Sequence, residues 1–347
     1  MTNQHPTIFE DSSPIEVEAV LAMYPLHSLS KSGKLDTIRI ERRNSEGELD
    51  LLWQVSPSEG YGSPGILSYR LDNLVINRRI YESGRPVPST IKLGSLRELC
   101  EELGMVPSGQ NASLIKQSLA KNASATITCK LTYRTHDGKE SELEQVFSRY
   151  GVIFSGKRLP NGEKADAVYV VLNPIYQHFL SEVVFRYLDV GYMKSLGQPS
   201  AQRWYEWVSY RMHGAIGQGK SRMTVRYSDF CECAPLKRQL KDKSFYNQMG
   251  AIHKPHLKSG YLSKVGFTKI TDPQGLTDWL IHYTPGIRAR NEYHVSKRRE
   301  AERSEANVKP AAPVSGLLIG EFGTVDISVA SAGVVENKRA RRRGAGL

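Results

Sequence analysis

Residues 90–154 read TIKLGSLRELCEELGMVPSGQNASLIKQSLAKNASATITCKLTYRTHDGKESELEQVFSRYGVIF, and the order of patterns in this stretch decides the fold. Ile91–Leu93 is a short strand. Ser95 and Glu98 have the S-x-x-E spacing of a capping box, in which each side chain satisfies a backbone N–H at a helix start. Leu96, Leu99, Cys100 and Leu103 recur at i, i+3, i+4 and i+7, one apolar stripe, and Gly104 supplies the stop. After a turn through Pro107 and Ser108, a second helix is predicted from Gly109 to Lys121, with Ala112, Ile115 and Leu119 inward. Ile127, Cys129, Leu131 and Tyr133 then alternate with polar residues, His136–Lys139 is a turn signal, and a return strand is predicted over Glu144–Phe154. A helix-turn-helix backed by a hairpin is the outline of a winged helix, a module that holds DNA.

A looser copy follows between Arg222 and Tyr283. Met223–Tyr227 is a strand, Ser228 starts a short helix to Cys233, and Lys243 to His253 is the second reading helix, kinked at its end by Pro255. Val265–Ile270 and Thr277–Tyr283 form the second hairpin. Upstream, Pro14–Met23 suggests a short helix, interrupted by Pro25 and the Ser28–Ser32 cluster. Thr37–Arg42 and Leu49–Val55 alternate as strands, and Ile66–Tyr81 is helical. Between the copies lie a strand at Ala167–Leu172, a helix begun by Asn173-Pro174, a short helix at Asp189–Leu196 and a long one at Ser200–His213. Ile287–Ala306 is a charged basic helix. The predicted class is α+β. It comprises an N-terminal extension (1–37), a first winged-helix domain (38–160), a second (165–303) and a disordered basic tail (304–347) ending in Lys338–Arg343. The boundary is placed at the Leu159–Lys164 loop.

The chain has 347 residues, and 47 Lys and Arg against 36 Asp and Glu give a net charge of +11. A polyanionic partner suits this excess, because each neutralised phosphate releases condensed counterions. The charge is uneven: residues 1–60 hold ten acids and five bases, and residues 234–264 hold seven bases and one acid. Cys100 and Cys129 sit at core positions, and Cys231-Glu232-Cys233 alone lacks the four ligands of a zinc site, so no metal is expected. His253 and His256 likewise have no second pair of ligands. Nothing resembles a membrane span or a signal peptide, which predicts a cytoplasmic protein with no membrane partner.

Two patterns in the sequence bear on catalysis. Gly214-Ala215-Ile216-Gly217-Gln218-Gly219-Lys220-Ser221 fits the phosphate-cradling pattern G-x-x-x-x-G-K-[ST]. That loop works with a strand entering and a helix leaving, and here a helix enters and a strand leaves. It is therefore expected to be a glycine-rich connection. A nucleotide-dependent enzyme is kept as the weaker alternative. The histidines form no triad, and no His-hydrophobe-His motif accompanies a tyrosine nucleophile. No catalytic residue and no cofactor are expected.

The expected partner is double-stranded DNA. Gln110, Ser113, Gln117 and Lys121 on the first reading helix suit base edges and phosphate. Arg134 and Lys139 would sit on its wing. In the second copy the candidates are Lys241, Lys243, Asn247, Gln248, His253 and Lys254, on or next to the reading helix, with Lys220 and Arg222 at the glycine-rich loop that leads into the strand Met223–Tyr227.

Several segments together resemble the plasmid replication initiator protein A family over residues 38–300. They are Leu52-Trp53-Gln54-Val55, Tyr61-Gly62, Ser95–Gly104, Leu172-Asn173-Pro174-Ile175-Tyr176, Ala201-Gln202-Arg203-Trp204-Tyr205, Lys254-Pro255-His256-Leu257 and Gly260-Tyr261-Leu262. Cys231–Pro235 departs from it, where a longer regular helix is expected. The resemblance implies tandem winged helices that bind repeated sites in a plasmid origin, help open neighbouring AT-rich duplex, and recruit a host initiator and helicase. It also implies a homodimer for autoregulation. A transcription regulator on the same fold is the alternative.

Overall fold

The computed structural model of the protein describes residues 14–18, 23–29, 37–134, 138–158, 164–182 and 185–308. Residues 1–300 form one compact unit and residues 301–347 a second. The elements below belong to the first unit, except that the last helix, α10, ends in the second. The predicted basic tail beyond Val308 lies outside the described residues.

Its elements run β1 (Pro14–Glu18), β2 (Ile38–Arg43), β3 (Leu49–Ser56), α1 (Ile66–Leu71), a π-helical turn (Asp72–Ile76), α2 (Asn77–Glu82), β4 (Thr90–Gly94), α3 (Leu96–Glu102) and α4 (Gly109–Ser124). Then come β5 (Thr126–Arg134), β6 (Glu140–Phe147), β7 (Tyr150–Arg158), β8 (Lys164–Leu172), α5 (Pro174–Glu182), β9 (Phe185–Asp189), α6 (Val190–Ser195) and α7 (Pro199–Gly217). The chain closes with β10 (Met223–Arg226), α8 (Tyr227–Cys233), α9 (Asp242–Lys258), β11 (Leu262–Thr271), β12 (Thr277–Pro285) and α10 (Ile287–Val308). Among the described residues this is a mixed α and β architecture of antiparallel sheets, ordered β1-β9, β2-β3-β5-β6, β4-β8-β7 and β10-β12-β11.

Local chemistry explains the helix ends. The Glu98 N–H donates to Ser95 Oγ (3.1 Å) and the Ser95 N–H donates back to the Glu98 carboxylate (2.6 Å), so the capping box forms. Gly104 takes φ +69°, and the Met105 N–H reaches the Cys100 carbonyl at 2.8 Å, a Schellman stop. The glycine-rich Gly214–Ser221 segment ends α7 in the same way. Gly219 takes φ +68°, its N–H bonds to Ile216 O at 2.9 Å, and the Lys220 N–H bonds to Ala215 O at 2.9 Å. The backbone donors that would cradle a phosphate are spent on the helix cap.

Two strand orders match. β4, α3, α4, β7 and β8 give β4-β8-β7, and β10, α8, α9, β11 and β12 give β10-β12-β11. Each set is strand, helix, helix and hairpin, with the last strand in the middle. The first set carries an insertion, the β5–β6 hairpin, which joins β2–β3 in a separate four-stranded sheet with Trp53, Val55, Ile127, Cys129 and Phe147 buried.

This corrects the sequence reading in three places. The predicted return strand Glu144–Phe154 is two strands in two sheets, and the crossing is held at Arg149. Its buried guanidinium pairs with Asp72, and the neighbouring Tyr150 hydroxyl donates to the same carboxylate at 2.5 Å. The boundary between residues 160 and 165 falls inside a hairpin, since β7 and β8 pair from Tyr150↔Leu172 to Arg158↔Lys164. The strand expected to open the second half, β8, therefore completes the first. Finally, Pro14–Glu18 is a strand rather than a helix: β1 pairs with β9 from Pro14↔Asp189 to Glu18↔Phe185, burying Ile15 and Val17. Isoleucine and valine alternating with acids suit a half-buried strand better than a helix.

The second set is packed around aromatic rings. Phe245 of α9 stacks on Trp279 of β12 at 4.0 Å and 2°. Trp204 Nε1 of α7 donates to the Tyr283 hydroxyl at 2.9 Å, which also meets His253 Nε2 at 2.9 Å. α9 continues through Pro255 to Lys258.

Candidate nucleic-acid interface

An α-helix presents one face every 3.6 residues, so a helix buried on one side offers the other as a stripe. On α9 the buried side is Phe245, Met249, Ile252, His253 and His256. The opposite stripe is Lys243, Asn247, Gly250, Ala251, Lys254 and Lys258, all exposed, with Tyr246 beside it. Over 17 residues this surface is about 25 Å long. Among the described residues, Lys243, Lys254 and Lys258 carry no side-chain ion pair or hydrogen bond, so their charge is available to a ligand.

Lys241 precedes the helix as its N-cap, with no side-chain capping bond. The first turn also holds Asp242, which pairs with Lys269 Nζ of β11 at 2.7 Å. The positive end of the helix dipole and two lysines thus meet one carboxylate that is already paired, and that end favours an anion.

α4 is built alike with different chemistry. Ser108 Oγ caps it by accepting from the Asn111 N–H at 3.1 Å. Ile115, Ser118, Leu119 and Asn122 are buried, while Gln110, Ser113, Leu114 and Gln117 are exposed and Lys121 is half-buried. This face is short of charge and rich in groups that donate and accept hydrogen bonds.

The remaining candidates part company. Gln248 is half-buried and spends its amide inside the protein: it accepts from the Tyr227 hydroxyl, and its Nε2 donates to Lys237 O at 3.2 Å. It is a structural contact that ties α9 to α8 and the loop between them. Lys220 and Arg222 are exposed. They lead into β10 where Met223 faces Tyr283, at the base of the β11–β12 hairpin, whereas Asp242 and its neighbours Lys241 and Lys243 lie beside Lys269 nearer the tip. The structure does not bring these two groups together. Lys139 is exposed and makes its own interaction, and the side chain of Arg134 lies outside the described residues. Both belong to the inserted β5–β6 hairpin, not to the hairpin paired with β4. The hairpin that packs beside α4 is β7–β8, where Lys116 Nζ lies 5.6 Å from the Phe154 ring, and Ile153 and Phe154 are exposed.

His253 and His256 are core residues. Burial pushes each down to about 3 and keeps it neutral, and His256 bonds to the Tyr192 hydroxyl (2.7 Å) and Ala201 O (3.2 Å). Among the described residues no group of three His, Cys, Asp or Glu could hold a metal, and no helix is long and apolar enough to cross a membrane.

No family model matches the chain, and no curated protein matches it either. Solved structures do. Two crystal structures of domains 2 and 3 of RctB are similar to it at 11% and 12% identity, over 77% and 80% of this chain and 96% and 99% of theirs, with TM-scores of 0.42 and 0.41. The Pi initiator protein in complex with iteron DNA is similar at 12% identity, over 64% of this chain and 91% of that chain, with a TM-score of 0.40. Likenesses this distant carry no argument about function.

Sequence reasoning missed Tyr246, Gly250, Ala251 and Lys258. The signal was present, since the apolar spacing 245, 249, 252, 256 runs past Pro255 and places all four on or beside the outer face. Tyr246 is nearly half exposed (49%), and its ring is held edge-on by Phe245 and Phe267 at 5.1 and 5.4 Å. It is a fixed apolar contact of the kind that meets a thymine methyl. Gly250 and Ala251 leave the helix backbone open to close approach.

Proposed function

We propose that the chain binds double-stranded DNA through two tandem winged-helix modules and serves as a plasmid replication initiator without catalysis. The first module is residues 66–172, with β2, β3, β5 and β6 as an added sheet. The second is residues 199–300. The observation that carries this reading is the repeated strand, helix, helix and hairpin unit, with α4 and α9 each turning an unpartnered polar face outward. Within it the modules divide the work. α4 presents amides for base edges, and α9 presents lysines for phosphate, with Asn247 and Tyr246 between them. The family resemblance at Ser95–Gly104 and Ala201–Tyr205 supports the narrower reading: repeated origin sites, opening of AT-rich duplex, recruitment of a host initiator and helicase, and a homodimer in autoregulation.

The test is a DNase footprint on the DNA that neighbours the gene, with permanganate probing of unpaired thymines. Protection over several direct repeats, with melting beside them, is expected. Protection of one palindromic promoter site without melting would replace the initiator with a transcription regulator, and no protection at all would remove the DNA-binding reading.

A further inference from the structure

A cavity of about 580 Å³ lies between the C-terminal half of α7, the start of β9 and the face of α10. That volume is typical of small-molecule sites. It is away from the outer faces of α4 and α9, and nothing in the DNA-binding reading uses it.

Three features of its walls point to a ligand. The first is a glycine with no packing reason. Gly214 lies inside α7, where glycine weakens a helix relative to alanine. A Cβ built there would meet nothing within 4 Å, so no neighbour demands its absence. Gly217, one turn on, is already approached by Tyr293, whose hydroxyl would lie 3.0 Å from a Cβ. The wall between them is flat and open to a planar group. The second is an orphaned polar atom: His213 Nε2 is buried and has no partner among the described residues. Burial first, then the charges of Arg186 and Lys297, hold this ring neutral, down to about 4. A buried nitrogen without a partner costs stability unless something else bonds to it. The third is composition. Phe185, Tyr210 and Tyr293 supply ring faces, and Arg211, 4.3 Å over the Trp207 ring, supplies positive charge, while Lys297 is already paired with Glu300 at 2.6 Å and Arg186 with Glu206.

We propose that this cavity binds a small planar aromatic anion of nucleotide size, with its ring along the glycine-lined wall of α7 and a polar edge atom at His213 Nε2. Its negative charge faces the side of Arg211. The site is not the phosphate cradle suggested by the Gly214–Ser221 pattern, because the cap of α7 consumes those N–H groups. It uses the face of the same helix instead.

ATP is the probe, with adenosine and inorganic triphosphate as partial probes, titrated into the full chain by calorimetry and by thermal shift. Saturable ATP binding is expected, with adenosine weaker but still binding. Gly214→Leu fills the open wall with a better helix former. It is expected to weaken ATP at least about tenfold while the melting temperature without ligand holds or rises. His213→Leu is expected to weaken ATP and adenosine alike. Absence of saturable ATP binding would overturn the proposal. So would triphosphate binding as well as ATP with both variants unaffected, which would mark a general attraction of anions to a basic chain. DNA binding by the same samples is measured in parallel, so that loss of the cavity and loss of the DNA reading are separate results.

Discussion

Replacing Lys243, Lys254 and Lys258 together by alanine should change the salt dependence of DNA binding by a calculable amount. The three lie on one exposed stripe of α9 and have no partner to release. Each phosphate neutralised contributes about 0.9 to the slope of log K against log salt. If each lysine meets one phosphate, the variant's slope is shallower by about 2.7. Between 50 and 200 mM salt the wild type should therefore lose about 40-fold more affinity than the variant. Fluorescence anisotropy of a labelled duplex across that range measures both slopes. Lys269→Ala is the control: its ammonium is already paired with Asp242 at 2.7 Å, and its removal should shift the slope by less than about one. All four side chains are exposed, so stability should move by no more than about 0.5 kcal/mol. A folded triple variant with the wild-type slope would refute the placement of phosphate on α9.

Gln117→Ala should relax preference at one base pair by about 1–3 kcal/mol in a competition assay. Gln248→Ala should lower the melting temperature and leave base preference alone, because its amide is bonded to Tyr227 and Lys237. Asp72→Ala should cost about 3–5 kcal/mol in urea unfolding, since it strands the buried Arg149 charge. Burial alone would raise the Asp72 carboxyl, but Arg149, His27 and Tyr150 bring it down to about 2 from 3.8. Its folded value is therefore depressed. The contribution of roughly 2 kcal/mol is complete above about pH 4 and lost as pH falls toward 2, and Asp72→Asn should remove that acid limb. Glu292 has the opposite sign, because burial pushes it up to about 8 from 4.5 despite Arg288 alongside. The stability it confers is present below about pH 4.5 and lost as pH rises toward 8. Urea unfolding should show the wild type weaker at pH 8 than at pH 6 by roughly 2–3 kcal/mol, and Glu292→Gln should lose that difference.

Much of this was legible because local chemistry decided it. The S-x-x-E box at Ser95, the stop at Gly104, the face of α4 and the hairpin of β11 and β12 depend on residues close in sequence. The hairpin that packs beside α4 was not legible. β5–β6 and β7–β8 have the same alternation, and only tertiary pairing with β3 or with β4 tells them apart. The exchange is made at Arg149, whose partner Asp72 is far away in sequence. Leu159–Lys164 has the composition of a linker and of a hairpin connection alike. Gln248 misled for a related reason. Its spacing from Lys243 and Asn247 suited the outer face, but a hydroxyl at Tyr227 drew it inward. The cavity at α7 was hidden in a motif that suggested a different structure.

The pairing of β1 with β9 orders the protein in time as well as in space. Residues 14–18 leave the ribosome well ahead of their partner strand, which begins only at Phe185. At about 5–20 residues per second, the strand waits roughly ten to thirty seconds for a place to dock. Closing so long a loop adds entropy cost only slowly with length, so the delay is kinetic rather than a large loss of stability. Meanwhile Ile15 and Val17 have no sheet to enter. β1 is made long before the strand it pairs with, and a chain released before Asp189 would keep that apolar face open to other chains.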